Sequence, residues 1–273
     1  LMNIEELINS YIKSGYNVID AESKVCQDII LLKIANSRFV KNITIKGGVV
    51  IHSISKDLRR ATRDLDLDFI KYSLDDDAIK KFIEELSLIN DGIKIAVNGT
   101  IKKLHHQDYD GKRINIELYD EYSNKIKTKL DIGVHKQFDI EQDEYCFDLS
   151  IINREATLLI NSKEQIFVEK IKSLLKLGFR STRYKDLFDF YYLINTANLN
   201  KEKLKNYFDI IIFKDQTIRE NNIEDVIERL TMVFNSNAYR SNLSNPKNNW
   251  LDITIDDAIN AVLKYIKELN ERK

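Results

Sequence analysis

The chain has 273 residues, of which 31% are charged and 43% hydrophobic, and its 42 basic and 43 acidic side chains give a formal charge of -1. This length predicts about two domains, and a composition with eight glycines and one proline excludes disordered and collagen-like chains. The balanced charge argues against attraction of the whole molecule to nucleic acid or anionic membranes, so a polyanionic partner must meet a local basic patch.

The cysteine content and hydropathy predict a cytoplasmic protein that does not enter a membrane. Cys26 and Cys146 are too few for a disulfide framework and form no CxxC motif, as in proteins of a reducing compartment. No apolar run approaches the roughly 20 residues of a membrane helix, and the first residues lack the pattern of a signal peptide.

The first part of the chain is predicted to mix helices and strands. Asp20 and Ser73 are expected to cap helices over 21–37 and 74–90. Asp110-Gly111 is typical of a hairpin turn. Alternating and β-branched segments predict strands, and these lie at 43–46, 64–69, 93–98, 112–119 and 126–134, with a short helix over 49–55.

Beyond about residue 155 the pattern becomes helical. Ser162 and Gln165 predict a capping box at the start of a helix that ends at Gly178. Further helices are expected at 183–196, 201–213, 222–236 and 255–270, with the Asn-rich stretch 235–249 as a loop. The fold class is therefore α+β, with an N-terminal domain over 1–155 built on a mixed sheet and a mainly helical domain over 156–273.

The segment from Asp64 to Phe69 carries three carboxylates on one strand face, since Asp64, Asp66 and Asp68 alternate with apolar residues. One interpretation is an ordinary solvated sheet face. A calcium loop is disfavoured because its sixth position requires glycine and here holds Phe69. The third interpretation is a Mg²⁺ site, because Mg²⁺ is usually held by one or two carboxylates together with substrate phosphates.

The turn Gly47-Gly48 lies between a predicted strand and a predicted helix. Such a turn is either a tight connection or a phosphate site, because the backbone amides at a helix N-terminus bind anions. The carboxylate strand that follows favours the second interpretation, since it would place a metal beside the phosphates.

These motifs together resemble a known superfamily. Lys46-Gly47-Gly48 followed by fifteen residues and Asp64-Leu65-Asp66 is similar to the signature of the nucleotidyltransferases. The longer string from Arg60 to Leu67, which reads Arg-Ala-Thr-Arg-Asp-Leu-Asp-Leu, resembles the AbiEii/AbiGii toxin family.

Downstream motifs extend the resemblance over about residues 20–195. Lys129-Leu130-Asp131-Ile132-Gly133 resembles the strand that carries the third carboxylate of the superfamily. The segments 164–170 and 183–193 resemble the Glu-Lys helix and the Arg-x-Lys-Asp helix of the family. Independently, residues 163–185 hold seven basic and two acidic side chains, a patch suited to phosphate.

The resemblance implies a metal-dependent nucleotidyltransferase toxin of a toxin-antitoxin or abortive-infection system acting in phage defence. Its expected cofactor is Mg²⁺ or Mn²⁺, its substrate an NTP, and its partners an RNA acceptor such as the 3′ end of tRNA and a cognate antitoxin. The helical domain is expected to complete the active site. The implied metal ligands are Asp64, Asp66 and Asp131, the implied catalytic residues are these three with Lys170 and Asp186, and the implied nucleotide-binding residues are Lys46, Gly47, Gly48, Arg60, Lys170, Arg183 and Asp186.

Some features depart from this pattern or leave alternatives open. Val49 follows the glycines where a small hydroxyl residue is common, and Asp68 lies outside the expected catalytic set. His105-His106 has no partner at zinc-ligand spacing and is expected to be an ordinary pair of histidines. The alternatives are a nucleotidyltransferase acting on small molecules such as antibiotics, and an NTP-binding module without catalysis.

Overall fold

The computed structural model of the chain describes residues 2–104, 111–137 and 139–270. It divides into two compact units, Leu1–Asn161 and Ser162–Lys273. The position at which we expected the boundary, 155/156, lies within a strand, Arg154–Ile160. A mixed sheet and helices in both units confirm the α+β class.

The strands of the first unit form one mixed sheet, in the order β3-β5-β6-β2-β1-β8-β7, with β4 paired to β5. The pairs β1–β8 and β2–β6 are parallel and the others antiparallel. The strands are β1 (Ile43–Lys46), β2 (Leu65–Phe69), β3 (Ile93–Val97), β4 (Lys102–Lys103), β5 (Lys112–Asp120), β6 (Lys125–Val134), β7 (Asp143–Leu149) and β8 (Arg154–Ile160). The α-helices of this unit are α1 (Ile4–Lys13), α2 (Val18–Ala35), α3 (Gly48–Ser55) and α4 (Asp76–Leu88).

The two faces of this sheet differ in chemistry because β2 alternates apolar and acidic residues. Leu65, Leu67 and Phe69 are buried, and the Phe69 ring packs edge-on against Phe82 of α4 at 5.3 Å. Helix α2 packs against β6 and β8. The opposite face carries Asp66 and Asp68 and therefore holds the candidate site.

The second unit is helical. Its first helix begins at the predicted cap, where the Ser162 hydroxyl accepts from the Gln165 amide at 3.1 Å, and ends at Gly178, whose φ of +52° suits glycine. A π-helical segment, Phe208–Phe213, follows the third helix. The helices are α5 (Lys163–Leu177), α6 (Lys185–Thr196), α7 (Lys201–Tyr207), α8 (Ile223–Phe234), α9 (Asn237–Leu243) and α10 (Ile255–Glu268).

Several predicted elements were wrong. Helix α2 is capped by Asn17, whose side chain accepts from the Asp20 amide, and α4 is capped by Asp75, whose carboxylate also accepts from the Ser73 hydroxyl. The pattern was not helical from 155, because residues 154–160 pair with β1 and β7. Helix α9 lies inside the predicted loop 235–249, and α1, β4 and β7 were not predicted.

Two further predictions lie wholly or partly outside the described residues. His105, His106 and the Asp110 half of the predicted hairpin turn belong to the stretch 105–110. Within the part of the chain that is described, no helix has the length and hydropathy needed to cross a membrane.

Candidate active site

Four charged residues form one row across the polar face of the sheet. Lys46 on β1 pairs in register with Asp66 on β2. Asp66 pairs with Asp131 on β6, and Asp131 with Arg113 on β5. Since neighbouring strands lie about 4.8 Å apart, the row places two carboxylates side by side with a basic residue at each end.

Ion pairs hold most of the carboxylates on this face. The guanidinium of Arg113 donates from Nε and Nη2 to the two oxygens of Asp131, both at 2.6 Å. Lys129 pairs with Asp64 at 2.8 Å, and both side chains are well exposed, at 39% and 48%. Lys46 pairs with Asp68 at 2.7 Å, and that carboxylate is only 8% exposed.

The Gly47-Gly48 turn lies directly beside the row. Gly47 is the N-cap residue of α3 with a φ of +70°, which side chains rarely tolerate. A Cβ atom on Gly47 would lie 3.0 Å from Oδ2 of Asp66, and one on Gly48 would lie 2.9 Å from the Thr62 hydroxyl. The Thr62 carbonyl is itself fixed by a 2.8 Å hydrogen bond from buried Gln27. Glycine is therefore required at both positions by close approach of neighbouring groups.

A polar cluster surrounds the other end of α3. His52 is buried, with the Tyr16 hydroxyl 2.9 Å from Nε2. Burial, together with the charges of Lys24 and Arg60, lowers the pKa of His52 to about 4, so the ring is neutral at pH 7. Arg60, predicted to bind nucleotide, is buried, with 4% of its surface exposed. Its charge is one of those that lower the pKa of His52.

The carboxylate row suits a divalent cation in donor type. Mg²⁺ takes oxygen ligands and usually one or two carboxylates, with water and substrate phosphate completing the shell. Asp66 and Asp131 provide such a pair. Within the described ranges, however, no three His, Cys, Asp or Glu side chains converge as a ready metal site. Asp66 and Asp131 could therefore supply two ligands of a divalent cation, but not a complete shell.

The second unit contains a buried lysine held by two carboxylates. Lys170 on α5 donates to Asp186 and also pairs with Asp189 at 3.0 Å, both on α6. Asp189 is fully buried and accepts from the indole N–H of Trp250 at 3.1 Å. Oδ2 of Asp186 is buried without a hydrogen-bond partner among the described residues. Lys170 is therefore held in position by two carboxylates of α6.

The rest of the predicted basic patch is partly neutralised within its own unit. Lys172 and Lys176 both pair with Asp215, at 2.5 and 3.8 Å. Arg183 is half-buried, and its carbonyl accepts from the Tyr239 hydroxyl at 3.0 Å.

The predicted site residues therefore form two groups, one in each unit. The structure brings Asp66 and Asp131 together beside Gly47, and it brings Lys170 and Asp186 together. Sequence reasoning missed the partners that hold these groups: Thr62, Arg113, Lys129, Asp189 and Trp250. The family strings include Thr62, Lys129 and Asp189, but nothing local marks Arg113 or Trp250, whose roles depend on strand register and on a contact across 61 positions of the chain.

A mixed sheet with a glycine turn and paired carboxylates is the arrangement of a nucleotidyl transferase, and the family comparison agrees. The chain belongs to the AbiEii family, described as nucleotidyl transferase AbiEii toxin of type IV toxin-antitoxin systems, whose model matches residues 29–259. This confirms the resemblance drawn from the motifs. Membership also implies an antitoxin as partner. Comparison with curated proteins found no match.

Proposed function

We propose that this toxin transfers a nucleotide from an NTP to an RNA acceptor, such as the 3′ end of tRNA, in a reaction that depends on Mg²⁺ or Mn²⁺. The observation that carries the proposal is the pairing of Asp66 with Asp131 in register beside the Gly47-Gly48 turn. A phosphate-binding turn and a cation-binding carboxylate pair are the two parts that a triphosphate substrate needs.

In the proposed reaction an acceptor hydroxyl oxygen forms a bond to the α-phosphorus, the bond to the β-phosphate bridging oxygen breaks, pyrophosphate leaves, and the hydroxyl proton passes to water. A bound divalent cation supplies charge neutralisation of the triphosphate and lowers the pKa of the attacking hydroxyl. Asp66 and Asp131 are proposed to hold that cation together with Asp64, which lies two positions before Asp66 in the chain.

The glycine turn is proposed to bind the phosphates. The first amides of a helix have no intrahelical acceptor, and Gly47 and Gly48 bring the start of α3 close to Asp66 and Thr62. The Thr62 hydroxyl lies against Gly48, so it supplies a hydroxyl group near the turn, where Val49 lacks one. Lys46, at the end of the carboxylate row, is the basic residue nearest in sequence to the glycine turn.

Lys170 is proposed to neutralise phosphate charge, the role that the family motif implies for it. Lys170 is held by Asp186 and Asp189, so its ammonium group is preorganised to neutralise phosphate charge without losing rotamer entropy on binding. Arg183 is proposed to assist in nucleotide binding. These assignments follow the family motifs and are proposals for this chain.

A pocket in the first unit supports a polyanionic acceptor. It has a volume of about 390 Å³, and its lining includes Arg63, Lys127 and Lys129 but no acidic side chain among the described residues. The three cations have carboxylate partners, but such exposed ion pairs are weak and exchange readily for phosphate. Lys129 also pairs with Asp64, so the pocket adjoins the carboxylate row.

The proposal is tested by incubating the purified chain with Mg²⁺, each labelled NTP, and either total bacterial RNA or a panel of aminoglycosides. Asp66→Asn is expected to lower transfer at least about 1,000-fold, because a carboxylate that stabilises the transition state is lost. Asp68→Asn on the same strand face is the matched control and is expected to stay within about tenfold of wild type.

Label on tRNA-sized RNA from wild type and Asp68→Asn, but not from Asp66→Asn, would support the proposal. Transfer only to an aminoglycoside would favour the small-molecule alternative. Binding of NTP without transfer to any acceptor would favour a non-catalytic module.

A further inference from the structure

The bidentate pair between Arg113 and Asp131 bears on how the cation reaches the carboxylate row. Both oxygens of Asp131 accept from one guanidinium, from Nε and Nη2 at 2.6 Å each. The strand register that makes Arg113 and Asp131 direct neighbours fixes this geometry. A planar guanidinium matched to both carboxylate oxygens is among the strongest ion pairs available to a protein.

The two partners differ in exposure. The Asp131 side chain is 4% exposed, whereas that of Arg113 is 30% exposed. The carboxylate is therefore fixed in the protein, while the arginine has room to move away from it. A movement within this pair is accordingly a movement of Arg113.

We propose that Arg113 competes with the divalent cation for Asp131 and exchanges that carboxylate for a phosphate of the NTP when both ligands bind. This inference rests on the proposed function. A guanidinium and a divalent cation repel each other at the few ångströms that separate two ligands of one carboxylate. Because the guanidinium fork fits phosphate as well as carboxylate, the triphosphate gives Arg113 an equivalent partner.

The exchange has a thermodynamic consequence. If NTP removes Arg113 from Asp131, then NTP tightens the binding of the cation, and by linkage the cation tightens the binding of NTP by the same factor. Arg113 would thus keep the carboxylate row closed to a cation that arrives alone. This coupling distinguishes competition from a simple orienting role, in which loss of the arginine weakens cation binding.

The test measures binding of Mn²⁺ to the full chain by electron paramagnetic resonance, with and without an α,β-methylene NTP analogue, so that no turnover is needed. R113M is expected to bind Mn²⁺ at least about threefold more tightly than wild type without nucleotide, because a competing positive charge is gone. The factor by which the analogue tightens Mn²⁺ binding should be smaller in R113M than in wild type. R113K should lie between, since lysine offers a point charge in place of a fork.

Two control variants test whether the tighter Mn²⁺ binding occurs at Asp131. D131N in the R113M background should abolish the gain, which places the tighter Mn²⁺ at Asp131. K112M, at the adjacent position of β5 where Lys112 pairs with Asp76, should leave Mn²⁺ binding unchanged. If R113M does not fold, R113K, which keeps a cation beside buried Asp131, decides the question by the same comparison.

Equal or weaker Mn²⁺ binding in the Arg113 variants would overturn the inference and leave the proposed function standing. Absence of Mn²⁺ binding to wild type, with and without the analogue, would overturn both, because it removes the cation site itself. Tighter binding with lost coupling would support the competition.

Discussion

The charge clusters of the two units are built by different geometry. In the first unit, sheet register sets basic and acidic residues opposite one another, and pairs such as Lys129–Asp64 remain about 40% and 50% open to solvent. In the second unit, Asp186 and Asp189 lie three residues apart on one face of α6 and share a single lysine, with all three side chains less than 10% exposed.

The two kinds of ion pair differ in the free energy needed to separate their partners. An exposed pair gains little because water solvates each partner almost as well, whereas a buried charge that loses its partner is left without water or a counter-charge. The exposed Lys129–Asp64 pair of the first unit is therefore suited to exchange partners with a ligand, and the lysine cluster of the second unit is suited to keep one arrangement. Three measurements would break or sharpen this contrast.

The largest effect is expected from Lys170→Met. Lys170 pairs with both Asp186 and Asp189, so its removal takes a cation from two buried carboxylates, and the free energy of unfolding should fall by about 3–5 kcal/mol. The only tryptophan, Trp250, is buried and bonded to Asp189, so its fluorescence during urea unfolding reports on this cluster.

A double variant makes the Lys170 measurement specific. Lys170→Met with Asp189→Asn should be less destabilised than Lys170→Met alone, because one of the two buried carboxylates that lose Lys170 is gone. A loss below about 1 kcal/mol in the single variant would show that the cluster behaves like an exposed pair and would end the contrast between the units.

An intermediate effect is expected from pH at His52, a group of the first unit that is buried and neutral. Its pKa is about 4 in the folded chain and about 6.5 when unfolded. Between these values the unfolded chain binds more protons, so stability falls as the pH falls, by about 2 kcal/mol from pH 7 to pH 5. Urea unfolding followed by circular dichroism at both pH values measures this loss.

His52→Gln is the control for the pH series, because it keeps a polar side chain but cannot titrate. Burial raises the pKa of Asp28 in the same unit, which gives stability an opposite slope with pH, and that contribution is common to both proteins. Equal pH dependence in wild type and His52→Gln would show that the imidazole is solvated in the folded chain.

The smallest effect is expected from Lys129→Met. It removes the same type of side chain as Lys170→Met, but from an exposed pair with Asp64, and the free energy of unfolding should change by about 0–1 kcal/mol. Hydrogen exchange of the β6 amides reports on it locally. A loss as large as that in Lys170→Met would mean that burial does not govern these pairs.

Much of the site could be predicted from the sequence because its signals are local. The alternation of β2, the glycine turn before α3 and the caps at Ser162 and Gly178 each depend on a few adjacent residues. The carboxylates Asp66 and Asp131 and the family itself followed from such strings. Local signals failed at two helix starts. The N-caps are Asn17 and Asp75, each within one helical turn of the predicted caps Asp20 and Ser73.

Only the tertiary structure decided which groups meet. Strand register, which side-chain spacing alone does not set, placed Arg113 against Asp131, and long-range packing brought Trp250 to Asp189. The strand Arg154–Ile160 likewise depends on its partner β1, more than 100 positions earlier in the chain. The sequence by itself determined which chemical groups this protein carries, and the pairing of distant strands and helices determined which of them are held apart, paired or buried, because those energies arise from contacts between segments.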